Sequence, residues 1–503
     1  MSADLERLAN GVLWPGFLGT EAPDWLLDEL RDGLAGVVYF GQNVGDGLAD
    51  LSDAILAANP DALIGIDEEG GSVTRLESAS GSTVPGAAQL GLVDDLIATE
   101  MTGAELARRV RAIGANVILG PVADVNTDPS NPVIGVRAFG ADEHLVSRHV
   151  VATIDGIQDG AVAACVKHFP GHGDTHVDSH HALPEISLDI EEFERVHLEP
   201  FRAAIDAGVD AVMTAHIVVP AWGEAPATLN PRVLGMLRDW GFDGVVITDA
   251  LDMAAIRETV GIDGGAALAL AAGADLLCIG NPTNPGEAAQ VDQDRRDFLA
   301  ARDGIVAALR DGSLARERVE EAAARVATLA AKLRSAADRH QDTADEFDAA
   351  AIVRRAVSVV GGAPAVASEV AVVDARRRSS LAVDSAAGYV SGALAADGYR
   401  VRLDVASNPV SMQDRVLDEV AAASGTTVLL IDRPDADAAQ RALVERAAER
   451  DPGAVVVNVG LPARHPLPLP TIEVAAASRL GALVAREALL GRTAPPERVD
   501  TAG

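Results

Sequence analysis

The sequence predicts an α/β protein, a (β/α)₈ TIM barrel followed by a smaller C-terminal α/β sandwich domain. Over roughly the first 280 residues, eight short apolar runs alternate with longer amphipathic segments. A second alternating pattern begins near residue 350, after a polar stretch. Short continuous apolar runs are typical of parallel strands that are buried on both faces. Eight such units favour a barrel over an open doubly wound sheet, which is the competing fold.

The predicted barrel strands follow one another at spacings that leave room for a helix or a long loop. They are Val12–Phe17, Gly36–Phe40, Ala62–Asp67, Asn116–Pro121, Ala163–His168, Ala211–His216, Gly244–Asp249 and Asp275–Gly280. Apolar residues at helical spacing predict helices between them. Examples are Pro23–Asp32, Leu96–Ile113, Glu143–Gln158, Asp189–Ala207, Pro231–Trp240 and Met253–Ala272, and a long stretch, Gln293–Ser335, closes the barrel.

The polar stretch Ser335–Asp348 is typical of a linker, so the predicted domains are residues 1–340 and 350–503. The second domain alternates short apolar runs with helices such as Ala436–Glu449. Its predicted strands are Val370–Val373, Arg400–Leu403, Thr427–Asp432, Ala454–Gly460 and Thr471–Val474. It has no GxGxxG motif, so no dinucleotide site is expected there.

Composition restricts the partners. The chain has 41 basic and 75 acidic residues, a formal charge of −34, which argues against nucleic acid and anionic membranes as partners. Its two cysteines, Cys165 and Cys278, lie in apolar runs and are predicted to be buried thiols. The N-terminus does not resemble a signal peptide and no run of 18 apolar residues occurs, so we expect a cytoplasmic protein.

Polar residues stand where five of the predicted strands end. They are Asp67, Asp124, Lys167 with His168, His216 and Asp249. The carboxyl ends of barrel strands form the catalytic face of this fold. These residues therefore indicate an active site. Asp249 is suited to attack an electrophilic carbon or to hold a metal, or alternatively to cap a helix. Asp252 is expected to be a cap or a solvated residue.

The stretch Val166–Pro184 holds five of the eleven histidines and one of the two lysines of the chain. Histidines at every fourth position would suit a metal site on a helix, but Pro170 and the flanking glycines favour a strand end followed by a loop. The metal site is the alternative. In the loop, Asp178 is two residues from His180 and can orient its imidazole for general acid/base catalysis. A turn in which Asp178 binds the backbone is the competing interpretation.

The segment after the third predicted strand is Asp67-Glu68-Glu69-Gly70-Gly71. Asp67 is placed to accept hydrogen bonds from the hydroxyls of a ligand, and Arg75 can reach back over the same opening. Glu68, Glu69 and Arg75 suit a local ion-pair network equally well. The glycines allow a sharp turn or the close approach of a ligand.

With these residues in view, the chain resembles glycoside hydrolase family 3, in the β-N-acetylglucosaminidase branch typified by bacterial NagZ. The resemblance covers roughly residues 10–335. The motifs that carry it are DEEGGSVTR at 67–75, GPVADVNTDPSNPVIGVRAFG at 120–140, KHFPGHGDTHVDSHHALP at 167–184, MTAHIVVP at 213–220 and TDALDM at 248–253. The second domain resembles that of longer family members only in outline.

The resemblance implies a retaining exo-β-N-acetylglucosaminidase that removes non-reducing terminal GlcNAc from muropeptides or short chitin oligomers. Asp249 aligns with the family nucleophile, and His180 paired with Asp178 aligns with the acid/base. The residues that align with binders of the non-reducing GlcNAc are Asp67, Arg75, Arg137, Lys167 and His168. No metal or other cofactor is expected. The alternative is a phosphorylase that passes the glycosyl group to phosphate, since a neutral imidazole does not repel an anion.

Overall fold

The computed structural model describes residues 2–175, 183–186, 188–340, 347–362, 364, 369–377, 388–423 and 425–492. Contacts between Cα atoms divide the chain into two compact units. The first consists of Met1–Glu68, Thr99–Val125 and Ala141–Asp345, and the second of Glu69–Ala98, Asn126–Gly140 and Glu346–Gly503. Two segments from the first half of the chain thus group with its C-terminal part. The domain division at 1–340 and 350–503 stays a prediction, because grouping by contact does not measure which parts fold independently.

The first unit has the predicted barrel strands in the predicted order. Within the described residues they are β1 (Leu13–Pro15), β2 (Gly36–Tyr39), β3 (Leu63–Ile66), β4 (Val117–Ile118), β5 (Ala163–Phe169), β6 (Ala211–Thr214), β7 (Val245–Ile247) and β8 (Leu277–Gly280). Strands β2 to β7 pair consecutively and in parallel. Strand β8 pairs in parallel with β1, and a bridge between Ile247 and Leu276 connects it to β7. The barrel prediction is confirmed.

The helices in this half of the chain follow the strands. They are α1 (Ser2–Asn10), α2 (Asp24–Arg31), α3 (Leu48–Ala58), α4 (Ala87–Val93), α5 (Leu96–Ala112), α6 (Glu143–Asp159), α7 (Ile190–His197), α8 (Glu199–Asp206), α9 (Pro231–Asp239), α10 (Ala254–Arg257), α11 (Gly261–Ala272), α12 (Gln293–Asp311) and α13 (Arg316–Ala337). Of these, α1, α3 and α4 lie outside the helical segments named from the sequence.

Three predicted helices are each divided in two. Pro200 lies in the first turn of α8, where its missing N–H is tolerated, whereas the same residue cannot continue α7. Gly312, with a φ of +81°, ends α12 in the left-handed conformation that glycine adopts without strain. Gly261, with a φ of +74°, is the first residue of α11, and its left-handed conformation separates α11 from α10.

The barrel interior is filled by side chains from alternate positions of the strands. Leu63 and Cys165 belong to this core, and Trp14 donates a hydrogen bond from Nε1 to the Leu63 carbonyl at 2.7 Å. Gly65 leaves room for the indole, because a Cβ at that position would lie 2.3 Å from it. Since successive strand residues point to opposite faces, Lys167 lies on the same side of β5 as Cys165, one layer nearer the carboxyl end. Both cysteines are buried free thiols, as predicted.

The C-terminal part of the second unit is a doubly wound α/β sheet. Its strands are β9 (Ser358–Val360), β10 (Val370–Asp374), β11 (Arg400–Arg402), β12 (Thr426–Ile431), β13 (Val455–Asn458) and β14 (Thr471–Glu473). They lie in the order β11-β10-β12-β13-β14-β9, and only β9 is antiparallel to its neighbour within the described residues. Strand β9, which was not predicted, is three residues long and so leaves little periodic signal.

Helices cover both faces of this sheet. They are α14 (Ala349–Ala356), α15 (Gly388–Ala395), α16 (Val410–Ala421), α17 (Ala438–Arg450) and α18 (Arg479–Leu489). Val372 and Leu430 pack in a core with α14, α15 and α18, whereas Val373 and Leu429 pack in another with α16 and α17. Adjacent strand residues therefore enter different cores, which confirms the predicted α/β sandwich. Among the described residues, no helix combines the length and apolar character needed to cross a bilayer.

Candidate active site

The polar residues predicted at strand ends lie at the carboxyl ends of the barrel strands. Asp67 follows β3, Asp124 lies beyond β4, Lys167 and His168 are near the carboxyl end of β5, and Asp249 follows β7. Because the strands are parallel, these residues share one face of the barrel. All of them belong to the first unit.

Lys167 and Asp67 form an ion pair. The Nζ atom of Lys167 donates to Oδ1 of Asp67 at 2.7 Å, and only 2% of the lysine side chain is exposed. The aliphatic stem thus rises from the barrel core, and the ammonium reaches the end of β3. The ammonium has three hydrogen-bond donors, and the carboxylate only accepts. Together they can donate to the oxygens of a polyhydroxylated ligand and accept from its hydroxyl groups.

His168 is held by Asp124, a residue that the sequence marked only as a strand end. Oδ2 of Asp124 lies 2.7 Å from Nδ1 of His168, and Oδ1 accepts from the His172 amide at 2.6 Å. Asp124 is buried, which by itself would raise its pKa, but the charge and hydrogen bond of His168 outweigh burial and lower the pKa to about 2. Asp124 is therefore an anion that orients the His168 ring.

His172 has a structural role at the start of the loop after β5. Its Nδ1 atom lies 2.7 Å from Oγ1 of Thr175. Burial lowers the pKa of His172 to about 4, although the charge of Asp124 opposes this shift. The ring is neutral at neutral pH and supports the start of the loop. Among the described residues, no group of three or more His, Cys, Asp or Glu side chains is placed to hold a metal ion.

The backbone around Asp249 is held on both sides. On the β6 side, the Asp249 amide donates to Oγ1 of Thr214 at 3.4 Å, and Nε2 of His216 donates to the Ala250 carbonyl at 2.9 Å. On the β8 side, the Leu251 amide donates to the Cys278 carbonyl at 3.0 Å. Helix α10 has Met253 as its N-cap, so Asp249 is not a helix cap. Its carboxylate accepts from the next amide, Ala250, at 2.8 Å.

The Thr228 hydroxyl connects Thr214 and His216, the two residues that hold the Asp249 backbone on the β6 side. Oγ1 of Thr228 lies 2.8 Å from Oγ1 of Thr214 and 2.9 Å from Nδ1 of His216. All three side chains are buried. Because the Ala250 carbonyl can only accept, Nε2 of His216 carries a proton. Thr214 and Thr228 were not singled out from the sequence, since nothing in their local pattern shows that they meet.

The expectation that Asp252 is a helix cap or a solvated residue is wrong. It precedes α10, and only 1% of it is exposed. Its Oδ2 atom accepts from Nδ2 of Asn284 at 2.8 Å. Burial, and secondarily the charge of Asp297, raise the pKa of Asp252 well above its usual range. The carboxyl fits against Gly280, where a Cβ would lie 1.8 Å from Oδ1 of Asp252.

The second unit contains the predicted binders Arg75 and Arg137. Arg137 ends a short 3₁₀ helix, Gly135–Arg137, and its Nη2 and Nε atoms donate to the two carboxylate oxygens of Glu69 at 2.7 and 3.0 Å. Glu69 thus pairs with a residue from another segment of the chain. Arg75 is partly buried on the segment after β3, and Glu68, at the end of the first unit, is buried.

Asp178 and His180, the predicted acid/base pair, lie outside the described residues, as do His176 and His181. The structure therefore brings together Asp67 with Lys167, His168 with Asp124, and Arg137 with Glu69. A (β/α)₈ barrel with carboxylates after β3 and β7 and a lysine–histidine pair on β5 defines a barrel enzyme with its polar residues on the carboxyl-terminal face.

Comparison with known proteins identifies its family. Residues 20–329 match the glycosyl hydrolase family 3 N-terminal domain. A β-hexosaminidase from Xanthomonas oryzae pv. oryzae is 37% identical over 313 residues, which is 59% of this chain and 91% of that protein. A β-hexosaminidase from Stenotrophomonas maltophilia strain K279a is 36% identical over 314 residues, with the same coverage.

A solved structure, described as a glycoside hydrolase family 3 β-N-acetylglucosaminidase from Paenibacillus sp. strain FPU-7, is 30% identical. It superposes with a TM-score of 0.82 over 98% of both chains. The chain belongs to glycosyl hydrolase family 3 and is a glycoside hydrolase, which confirms the resemblance seen in its motifs.

Proposed function

We propose that this chain is a retaining exo-β-N-acetylglucosaminidase that removes non-reducing terminal β-GlcNAc. The observation that carries this proposal is Asp249, a carboxylate at the end of β7 on a backbone held from β6 and β8. Similarity to β-hexosaminidases over most of their length supports the substrate class. A whole-chain match to a β-N-acetylglucosaminidase structure supports it further.

In the proposed first step, an Asp249 oxygen attacks the anomeric carbon and the glycosidic bond breaks. The leaving oxygen takes a proton from His180, and a covalent glycosyl ester with inverted configuration results. In the second step, His180 removes a proton from water, the water oxygen attacks the anomeric carbon, and the ester bond breaks. Two inversions restore the β-configuration. Asp178 orients His180; these two roles rest on the family motif alone.

The proposed sugar-binding groups are Asp67, Lys167 and His168, with Arg75 and Arg137. The Nζ atom of Lys167 and the Oδ1 atom of Asp67 are already 2.7 Å apart. A sugar hydroxyl that binds to both groups therefore does not have to bring two separate, hydrated charges together. Asp124 holds His168 in one orientation, which lowers the entropy lost when a ligand binds. The assignments of Arg75 and Arg137 rest on their positions in the family motifs.

The proposal extends to the leaving group and the setting. Muropeptide fragments or short chitin oligomers are the proposed substrates, and a cytoplasmic role in peptidoglycan recycling is the proposed setting. A formal charge of −34 disfavours polyanionic partners. Rates on GlcNAc-anhydroMurNAc and on chitobiose, measured side by side, decide between the two classes of substrate.

Release of p-nitrophenol from its β-GlcNAc glycoside tests the activity and the nucleophile together. Asp249→Asn should lower kcat by about a thousandfold or more, because an amide cannot form the glycosyl ester. Asp243→Asn is the matched control, since Asp243 is an exposed carboxyl just before β7. The proposal fails if the wild type does not turn over, or if the two variants have equal activity.

The acceptor is tested by adding phosphate to the same assay. Hydrolysis predicts free GlcNAc, initially as the β-anomer in proton NMR, and a rate that does not depend on phosphate. GlcNAc-1-phosphate as the product would replace the hydrolase with the phosphorylase. Inverted product would exclude the retaining mechanism.

A further inference from the structure

The second unit contains two segments from the first half of the chain, Glu69–Ala98 and Asn126–Gly140. The bidentate pair of Glu69 and Arg137 connects them, and the exposed fractions of the two side chains are only 8% and 5%. The contacts that hold these two segments therefore fix the position of the Arg137 guanidinium.

The first segment is hydrogen-bonded to the stretch of chain that follows β14. The Ala477 amide donates to Oγ of Ser72 at 2.9 Å, and Nε2 of Gln89 donates to the Val474 carbonyl at 2.9 Å. The Leu480 amide donates to the Ser82 carbonyl at 3.1 Å. Ser72, Ser82 and Gln89 are buried. Buried hydrogen bonds that water does not replace fix the geometry of both partners.

The turn at Gly70 and Gly71 packs against the same stretch of chain after β14. Gly71 has a φ of +55°, and a Cβ there would lie 2.5 Å from the Gly86 Cα and 3.7 Å from the Ala476 Cβ. The positive φ and the close neighbours of Gly71 account for a glycine at this position by packing inside the second unit. Gly71 lies two residues from Glu69, so this packing constrains the glutamate backbone.

The second segment is bonded to the sheet. Nη2 of Arg433 donates to the Pro132 carbonyl at 3.2 Å. Arg433 follows β12, and the strand order reverses between β10 and β12, which is where doubly wound sheets bind their ligands. In this chain, an arginine at that place contacts the segment that carries Arg137.

We propose that the C-terminal domain is a positioning element for the Glu69–Arg137 pair and thereby takes part in sugar recognition. It holds Glu69 through Ser72 and Gln89, and it holds Arg137 through Arg433. This inference rests on the proposed function, in which Arg137 binds the non-reducing sugar.

The test compares Ser72→Ala and Arg433→Ala with the control Arg446→Ala. Arg446 donates to Asp414 and Gln413, so it contacts only the C-terminal domain. Loss of one positioning hydrogen bond should raise KM for the β-GlcNAc glycoside about threefold to tenfold, with kcat little changed. The control should keep the wild-type KM, with a change in Tm similar to that of Arg433→Ala.

The same substitutions in an Arg137→Ala background show whether the effect acts through Arg137. We expect Ser72→Ala and Arg433→Ala to have little further effect on kcat/KM there. An equal loss in both backgrounds, or a wild-type KM in the single variants, overturns the inference. A wild type that releases no GlcNAc refutes the proposed function instead, so the two failures are distinguishable.

Discussion

The Nζ atom of Lys167 lies 2.7 Å from Oδ1 of Asp67, although the two residues are 100 positions apart and β4 separates their strands. Their side chains are 2% and 18% exposed, and each charge compensates the other in a largely buried place. The pair thus couples the stability of the barrel to the proposed sugar site.

Removing either partner of this pair should destabilise the fold. We expect Lys167→Met and Asp67→Asn each to lower the free energy of unfolding by about 3 kcal/mol, because a buried charge is left without its partner. The double variant should cost less than the sum of the two. Urea denaturation measures all three. Arg31→Met, which breaks an exposed pair with Asp28, is the control and should cost less than about 1 kcal/mol. Strictly additive costs would contradict the coupling.

His172 should make stability depend on pH. Its pKa is about 4 in the fold, lowered by burial from 6.5. Between these values the unfolded chain binds a proton that the folded chain does not, so stability falls as pH falls from 6.5 towards 4. The full effect is about 3 kcal/mol. Burial also lowers the pKa of His197, which adds a slope of the same sign.

Urea denaturation between pH 7 and pH 4.5 checks this expectation. His172→Gln should reduce the dependence of unfolding free energy on pH and leave the part that His197 contributes. An unchanged slope in His172→Gln would show that folding does not lower the pKa of His172.

His216 should affect kcat through the backbone of Asp249. His216→Ala removes the donor to the Ala250 carbonyl and leaves Thr228 without its imidazole partner. We expect a decrease in kcat of about tenfold, because the nucleophile is held less firmly, with a smaller change in KM. His149→Ala is the matched control, since His149 is also buried and bonded to a threonine hydroxyl, that of Thr99. Equal kcat values for the two variants would refute this role.

Replacing the Asp252 carboxyl by an amide should stabilise the fold at high pH. Its folded pKa is raised, so the stability that its neutral form contributes is lost as pH rises above the ordinary value of 3.8. Asp252→Asn keeps an acceptor for Asn284 and cannot ionise. At pH 8 we expect it to be more stable than the wild type by about 1 kcal/mol, measured by thermal unfolding. Asp252→Ala, which leaves a cavity, should be less stable at every pH. A wild type that exceeds Asp252→Asn at pH 8 would contradict the raised pKa.

Much of the fold follows from the residue pattern. Seven of the eight barrel strands lie within a predicted run, and β5 extends one residue beyond its run, because a continuous apolar run can be buried only between two covered faces. The pattern did not show where long helical stretches divide. That depends on single residues such as Pro200 and Gly312, whose effect is local and is masked in a window average. Strand β9 was not predicted from the sequence.

The site was predicted in part. Asp67, Lys167, His168 and Asp249 lie at strand ends, as expected, since parallel strands bring their carboxyl ends to one face. Asp124 carried the same signal, but its hold on His168 was not foreseen. The roles of Asp178 and His180 stay predictions.

Residue types and their spacing establish the barrel, the sandwich and the face on which the polar residues lie, because burial of apolar runs is a property of each run. Only the tertiary structure decides the pairs: Asp67 with Lys167, Asp124 with His168, and Glu69 with Arg137. It also decides that Asp252 is buried and that two early segments group with the C-terminal part. A hydrogen bond or ion pair forms only at about 3 Å, and distances on that scale between remote residues depend on the packing of all the chain between them.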